Sequence, residues 1–197
     1  TVVTPTLGMT DDEIAALGAI SSVAFTIACV IGGVVSDAWG RRRSLAVFAG
    51  GMALPTLWLA WRFTQAGWAL PPAAVDGAWP RAEALIFDWQ VATVVFGVFM
   101  GLMYGVRSAL YMDIAEPRIA ATQFTASMAL LNLVTSYSYW WQGRALTPAA
   151  EGGWGFTVPQ TLVADAAFGL LFLVVLPFLR PRSADATDDA APRASTG

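Results

Sequence analysis

Five apolar stretches, each close to the length that crosses a lipid bilayer, take up most of this 197-residue chain. A hydrocarbon core about 30 Å thick needs about 20 residues of helix. The stretches run from Ile14 to Val35, Ser44 to Trp61, Val91 to Met112, Ala121 to Trp141 and Thr157 to Leu179. The first covers roughly 33 Å at about 1.5 Å per residue. Thr10 and Glu13 ahead of it have capping-box spacing, and Asp11, Asp12 and Glu13 suit the positive end of a helix dipole. It is too long for a secretory signal peptide, and acidic rather than basic residues precede it. Pro55 predicts a kink in the second stretch, and Pro159 and Pro177 fall near the two ends of the fifth.

A soluble helical domain is the competing fold, and composition argues against it. The chain is 56% hydrophobic and 13% charged, where a soluble domain carries about 25% charge. Five such helices would leave bare apolar faces in water. The expected fold is therefore an all-α integral membrane protein. Residues 1–180 would form the bundle, and the tail 181–197, rich in Ala, Asp, Ser and Thr without an aromatic residue, would be disordered.

The few charges are informative by position. All eleven basic residues are arginine, with no histidine, which removes histidine bases, histidine metal ligands and lysine Schiff-base chemistry. A net charge of −3 argues against a nucleic-acid partner. The single Cys29 forbids an intrachain disulfide and a multi-cysteine metal site. The acids form no paired cluster, so a membrane enzyme is a weak reading, and no metal or cofactor is expected. If the spans alternate, Arg41, Arg42, Arg43, Arg118, Arg180, Arg182 and Arg193 share one side, against Arg62, Arg81 and Arg144. The positive-inside rule places the seven in the cytoplasm, with the first residues outside and the tail inside a plasma (inner) membrane. Eight of the nine tryptophans, all but Trp39, then fall at or near the outer face, with Trp58, Trp61, Trp140 and Trp141 as an interfacial belt. The connection from Arg62 to Gln90, with Pro71 and Pro72, reads as an interfacial or hairpin-like loop.

Small residues mark helix contacts. Gly18, Ser22, Cys29, Gly32 and Gly33 share one side of the first span, and Gly97, Gly101 and Gly105 form a double GxxxG in the third. The fourth span is the most polar. Thr122, Thr125, Ala129, Asn132, Ser136 and Tyr139 share one face, and Gln123, Ser127, Thr135 and Ser138 lie elsewhere, so the helix should face protein or water. The fifth repeats the pattern at Thr157, Gln160, Thr161 and Asp165. An acid inside a span is either a functional group or a structural hydrogen-bond partner. Arg107, in the third span, either snorkels, pairs with Asp113 or Glu116, or faces the interior and attracts an anion.

The loop between the first two spans carries Gly33, Asp37, Gly40, Arg41 and Arg42. Gly40 supplies a turn, the arginines anchor the loop, and Asp37 can pair with one of them or with a helix N-terminus. This loop resembles the signature of the major facilitator superfamily, Gly-x-x-x-Asp-[Arg/Lys]-x-Gly-Arg-[Arg/Lys], with a departure at Ala38. In that family it lies between helices two and three and recurs, often degraded, between eight and nine. The degraded form resembles the second copy, which implies helices eight to twelve of a twelve-helix chain, a partial C-terminal six-helix bundle. Thr1 in place of an initiator methionine fits a piece of a longer chain. Residues 117–133, with Ala121-Thr122-Gln123-Phe124 followed by Ala129-Leu130, resemble the eleventh helix of the peptide/acetyl-coenzyme A/drug transporter branch, which includes the AmpG-like muropeptide permeases.

The resemblance implies a proton-coupled, alternating-access permease, or symporter, for a small-molecule substrate. It implies the lipid bilayer and a missing N-terminal half as partners. Gly33, Asp37, Gly40, Arg41 and Arg42 would be its cytoplasmic gating motif. Arg107, Gln123, Asn132, Ser136 and Asp165 are the transport-pathway candidates, with Asp165 for proton coupling. A non-transporting membrane scaffold or receptor is the alternative from a different class, because five spans need not enclose a pathway.

Overall fold

A computed structural model of the chain describes residues 6–68, 80–116 and 118–175. The end of the fifth predicted span, the Pro71-Pro72 segment and the tail 181–197 lie outside the described residues. The described chain is helical, without a strand. Its long helices are α1 (Asp11–Trp39), α2 (Arg41–Gln65), α3 (Glu83–Ile114), α4 (Ala120–Leu146) and α5 (Val158–Val175). A short 3-10 turn, Ala149–Glu151, joins the last two. Three of the helices, α1, α2 and α3, are long and apolar enough to cross a membrane, which is compatible with a membrane protein.

Local chemistry fixes the helix ends. Thr10 and Glu13 form the capping box at α1, with the Thr10 amide donating to Glu13 at 2.8 Å and the Glu13 amide donating to the Thr10 hydroxyl at 3.3 Å. Thr157 and Gln160 repeat it at α5, at 2.9 and 3.3 Å. Thr161 is buried and its hydroxyl donates back to the Thr157 carbonyl at 3.1 Å. The polarity at the start of the fifth span is thus mostly capping. Gly40 alone separates α1 from α2, with φ of 86°, a conformation that favours glycine. Pro55 sits inside α2 without ending it. The carbonyl four residues earlier belongs to Gly51, whose missing side chain leaves room for the Phe99 ring.

Contacts between helices define their directions. α1 and α3 run side by side in parallel, Gly97 near Ser21, Gly101 near the Phe25 carbonyl, Gly105 near the Cys29 carbonyl, and Gly32 against the Leu102 backbone. The α1 surface used is therefore Ser21, Phe25, Ala28, Cys29 and Gly32. A Cβ at Gly18 would meet nothing, and Ser22 is exposed, so those two lie off the contact. α2 runs antiparallel to α3, with Phe48 and Leu45 meeting Val106 at one end and Phe63 meeting Trp89 at the other. α5 packs along α2, and α4 makes sparse contact with α5. Arg41, Arg42, Arg43 and Arg118 gather at one end of the bundle. Arg62, Arg81 and Arg144 lie at the other.

That second end holds the larger core. Leu59, Phe63, Leu85, Ile86, Trp89 and Val158 are buried together. α2 runs on to Gln65 and α3 begins at Glu83, so helix replaces both ends of the connection expected as loop. Trp89 belongs to this core, and Trp141 is buried between Trp154 and Phe168, while Trp61 and Trp140 stay exposed. Arg62 donates to the buried Asp88 at 2.6 Å. Arg81 grips Glu13 through both terminal nitrogens, at 2.9 and 2.6 Å, and bonds Glu83 at 2.6 Å. Glu13 stands ahead of the apolar stretch, and there the Arg81 bonds, with the Thr10 amide, hold its carboxyl down to about 2.

Two outcomes follow from this packing. Gly101→Ala places a methyl on the Phe25 carbonyl and should cost about 1–3 kcal/mol in reversible unfolding of the detergent-solubilised protein. Gly18→Ala, which meets nothing, should be neutral or mildly stabilising. Glu13 has a folded value depressed from 4.5 to about 2. Its contribution is complete above the unfolded value and is lost as pH falls towards the folded one. The unfolding temperature of wild type should therefore fall, as pH drops between those values, more steeply than that of Glu13→Gln.

Candidate functional site

Two clusters of polar side chains remain beyond the helix caps and the Arg62 and Arg81 ion pairs. The first joins three helix ends around Arg41. Its terminal nitrogen Nη1 donates to Asp37 at 3.1 Å and to the Ser36 hydroxyl at 3.2 Å. Its Nε donates to Asp113, at the end of α3, and Nη2 donates to the same carboxylate at 3.4 Å. Ser36 is buried and also donates to the Gly33 carbonyl at 2.7 Å. One guanidinium thus binds the end of α1 to the end of α3 from the first turn of α2. The fork geometry of arginine suits this, as a lysine would not. Gly33, Asp37, Gly40 and Arg41 all belong to this cluster. Arg42 is exposed and has no ion pair among the described residues.

The second cluster surrounds a cavity of about 810 Å³ between α2, α3, α4 and α5. Leu45, Met52, Phe96, Met103, Leu131 and Leu162 are among its apolar lining, and Arg107, Gln142 and Asp165 are its strongly polar lining. The Gln142 side-chain amide donates to the Asp165 carboxylate at 2.7 Å, joining α4 to α5 across the cavity rim. Arg107 has no such partner among the described residues. Its Nε is buried without a hydrogen bond, and its guanidinium lies over the Tyr104 ring at 4.7 Å.

The direction of Arg107 matters. Long helical side chains lean towards the N-terminus of their helix. Tyr104 is one turn earlier, so Arg107 leans into the bundle and away from the nearer end of α3. Snorkelling would require the opposite lean. Local neutralisation is missing too: Asp113 is taken by Arg41, and Glu116 forms no ion pair among the described residues. An arginine at the centre of a spanning helix costs about 2.5–3.5 kcal/mol on insertion scales. The ring face offsets part of this, worth about 0.5–2 kcal/mol.

The structure brings Arg107 and Asp165 to one cavity. It does not bring Gln123, Asn132 or Ser136 there. Gln123 accepts from the Glu116 amide at 2.9 Å and so closes the α3–α4 turn. Asn132 is exposed. The Ser136 hydroxyl donates to the Asn132 carbonyl at 3.0 Å, and Thr125, Ser127, Thr135 and Ser138 make the same bond one turn back. These hydroxyls are satisfied by their own helix. Gln142 is the site residue the sequence reading passed over, because it follows the last apolar residue assigned to the fourth span. Its signal is placement two turns after Thr135 on the same face. No protein-family model, curated protein or solved structure matches this chain.

The Arg41 cluster can be measured directly. Arg41→Ala and Asp113→Ala, singly and together, should give a coupling energy of about 0.2–1 kcal/mol in a double-mutant cycle of detergent unfolding. Arg42→Ala should stay within about 0.5 kcal/mol of wild type.

Proposed function

We propose that this chain is the C-terminal part of a secondary transporter of the major-facilitator type, related to the AmpG-like permeases, and that it moves a small solute by alternating access. In this reading all five helices cross the plasma membrane, α1–α5 being helices eight to twelve, with the Arg41 end in the cytoplasm. A missing N-terminal half completes the pathway. The observation that carries the proposal is the cavity that joins Arg107, Gln142 and Asp165. Spanning helices seldom keep a cation and a carboxylate unless they face a partner or a cavity, and here both line the same one.

The roles follow from the bonds. Asp165 has one carboxylate oxygen held by Gln142, which leaves the other free to take and release a proton. Arg107 attracts an anionic group of the solute. Asp37, Gly40 and Arg41, with Asp113, act as the latch. It closes when the ends of α1, α2 and α3 are tied together and opens when they part. The described part of α5 is 18 residues, roughly 27 Å at about 1.5 Å per residue, close to a bilayer core. The hydroxyls of α4 bond their own carbonyls, a pattern tolerated in spanning helices.

Proton flux tests this. Sealed vesicles from cells expressing the full gene, loaded with a pH-sensitive dye, should acidify when one of a panel of muropeptides, coenzyme A esters or small drugs is added outside. Asp165→Asn keeps the bond from Gln142 and removes the titratable group, so acidification should fall at least about tenfold, a loss of at least about 1.4 kcal/mol in coupling. Intact acidification in Asp165→Asn would overturn the coupling role. No acidification with any of the panel, from vesicles that contain the folded protein, would sink the transport reading and leave the scaffold.

A further inference from the structure

The shape of the cavity selects a ligand class. Trp89 and Tyr111, both on α3, line its two ends. Their separation along the helix is about 33 Å at about 1.5 Å per residue. The cavity of about 810 Å³ thus extends along much of the helix, far enough to take an extended hydrocarbon chain. The wall suits one, because Leu45, Ala49, Met52, Phe96, Met103 and Leu131 are apolar and only Thr56 and Thr93 interrupt them between the two charged ends.

Charge sets the orientation. Arg107 lies towards the Tyr111 end, with its Nε unpaired and its guanidinium on Tyr104. Asp165 lies towards the Trp89 end with Gln142 on it. An anionic head is attracted at one end and repelled at the other. We infer that the slot between α2, α3, α4 and α5 binds a single-chain amphiphilic anion, its carboxylate or phosphate head on Arg107 and its hydrocarbon chain running towards Trp89. The inference needs the bilayer but not transport, so it stands or falls separately from the function proposed above. The two sources of such a ligand are a membrane lipid that stays bound and a soluble amphiphile that exchanges.

Quenching of Trp89 fluorescence tests the site. The probe is stearate carrying a doxyl spin label, added to the purified full-length protein in an uncharged detergent. The Trp89 signal is taken as the difference between wild type and Trp89→Phe. A label near the methyl end should quench that signal saturably, and a label near the carboxylate should quench it at least about twofold less, because the head is held at Arg107. Arg107→Gln should raise the half-saturation about tenfold, and Arg107→Lys should recover part of the loss. If Arg107→Gln does not fold, Leu131→Trp, which fills the slot, should abolish the saturable component instead. Equal quenching by both labels, unchanged in Arg107→Gln or in Leu131→Trp, would mean detergent partitioning and overturn the inference. Mass spectrometry of the intact protein released from membranes separates the sources. A phosphate-bearing lipid retained by wild type and lost in Arg107→Gln identifies a resident lipid. Saturable stearate binding without a retained lipid identifies an exchanging solute. Neither result together with unsaturable quenching rejects the site.

Discussion

The close approach of α1 to α3 is the contact on which the rest of the bundle depends. In lipid there is no hydrophobic force between helices, so association rests on van der Waals packing and hydrogen bonds. Gly101, Gly105 and Gly32 remove the side chains that would otherwise separate the two backbones. This commits one side of α3 to α1 and leaves the remaining sides for α2 and for the cavity. Arg41 and Arg81 then act as clasps at opposite ends of the same pair. Arg41 joins Asp37 of α1 to Asp113 of α3. Arg81 joins Glu13 of α1 to Glu83 of α3. A parallel pair closed at both ends has its register fixed, and every cavity residue on α3 inherits its height from that register.

Much of this architecture is legible in the chain, for identifiable reasons. The GxxxG repeat of Gly97, Gly101 and Gly105 states its own purpose, because the spacing is the mechanism. The Thr10–Glu13 box is equally local. The surface of α1 that meets those glycines is less legible. Counting small residues selects Gly18 and Ser22, whereas the contact uses the backbone carbonyl at Phe25. The Phe25 ring meanwhile turns edge-on to Tyr104, with centroids 5.7 Å apart. A large residue can present its backbone to a neighbour and send its side chain elsewhere, and composition does not reveal this. The Arg41–Asp113 pair is illegible for a different reason, since 72 residues of chain separate the partners and only the α1–α3 register brings them together.

The polar face of α4 shows where helical-wheel reasoning stops. A wheel reports which residues share a direction. It does not report whether their hydrogen-bonding capacity is already used. Ser136, Thr125 and Thr135 return their protons to carbonyls of their own helix, which makes them inexpensive in an apolar medium and indifferent as ligand groups. Gln123 spends its oxygen on the Glu116 amide.

Unspent capacity is the better criterion for a working residue inside a span. By that measure the ten candidates divide sharply. Arg41 uses all three of its nitrogens on Ser36, Asp37 and Asp113, so it holds helix ends together and has no donor nitrogen left unengaged. Asp165 has one oxygen engaged and one open. Arg107 has its full set of donors and only a ring face to meet them. Charges at helix ends, such as Arg42 or Arg144, meet water and need no such account. Arg107 leans inward, and the Tyr104 ring offsets only part of the cost of leaving its Nε unpaired. A negative group entering the cavity would offset the rest, with Asp165 opposing it at a distance and the largely apolar wall between them favouring an apolar body behind the charge.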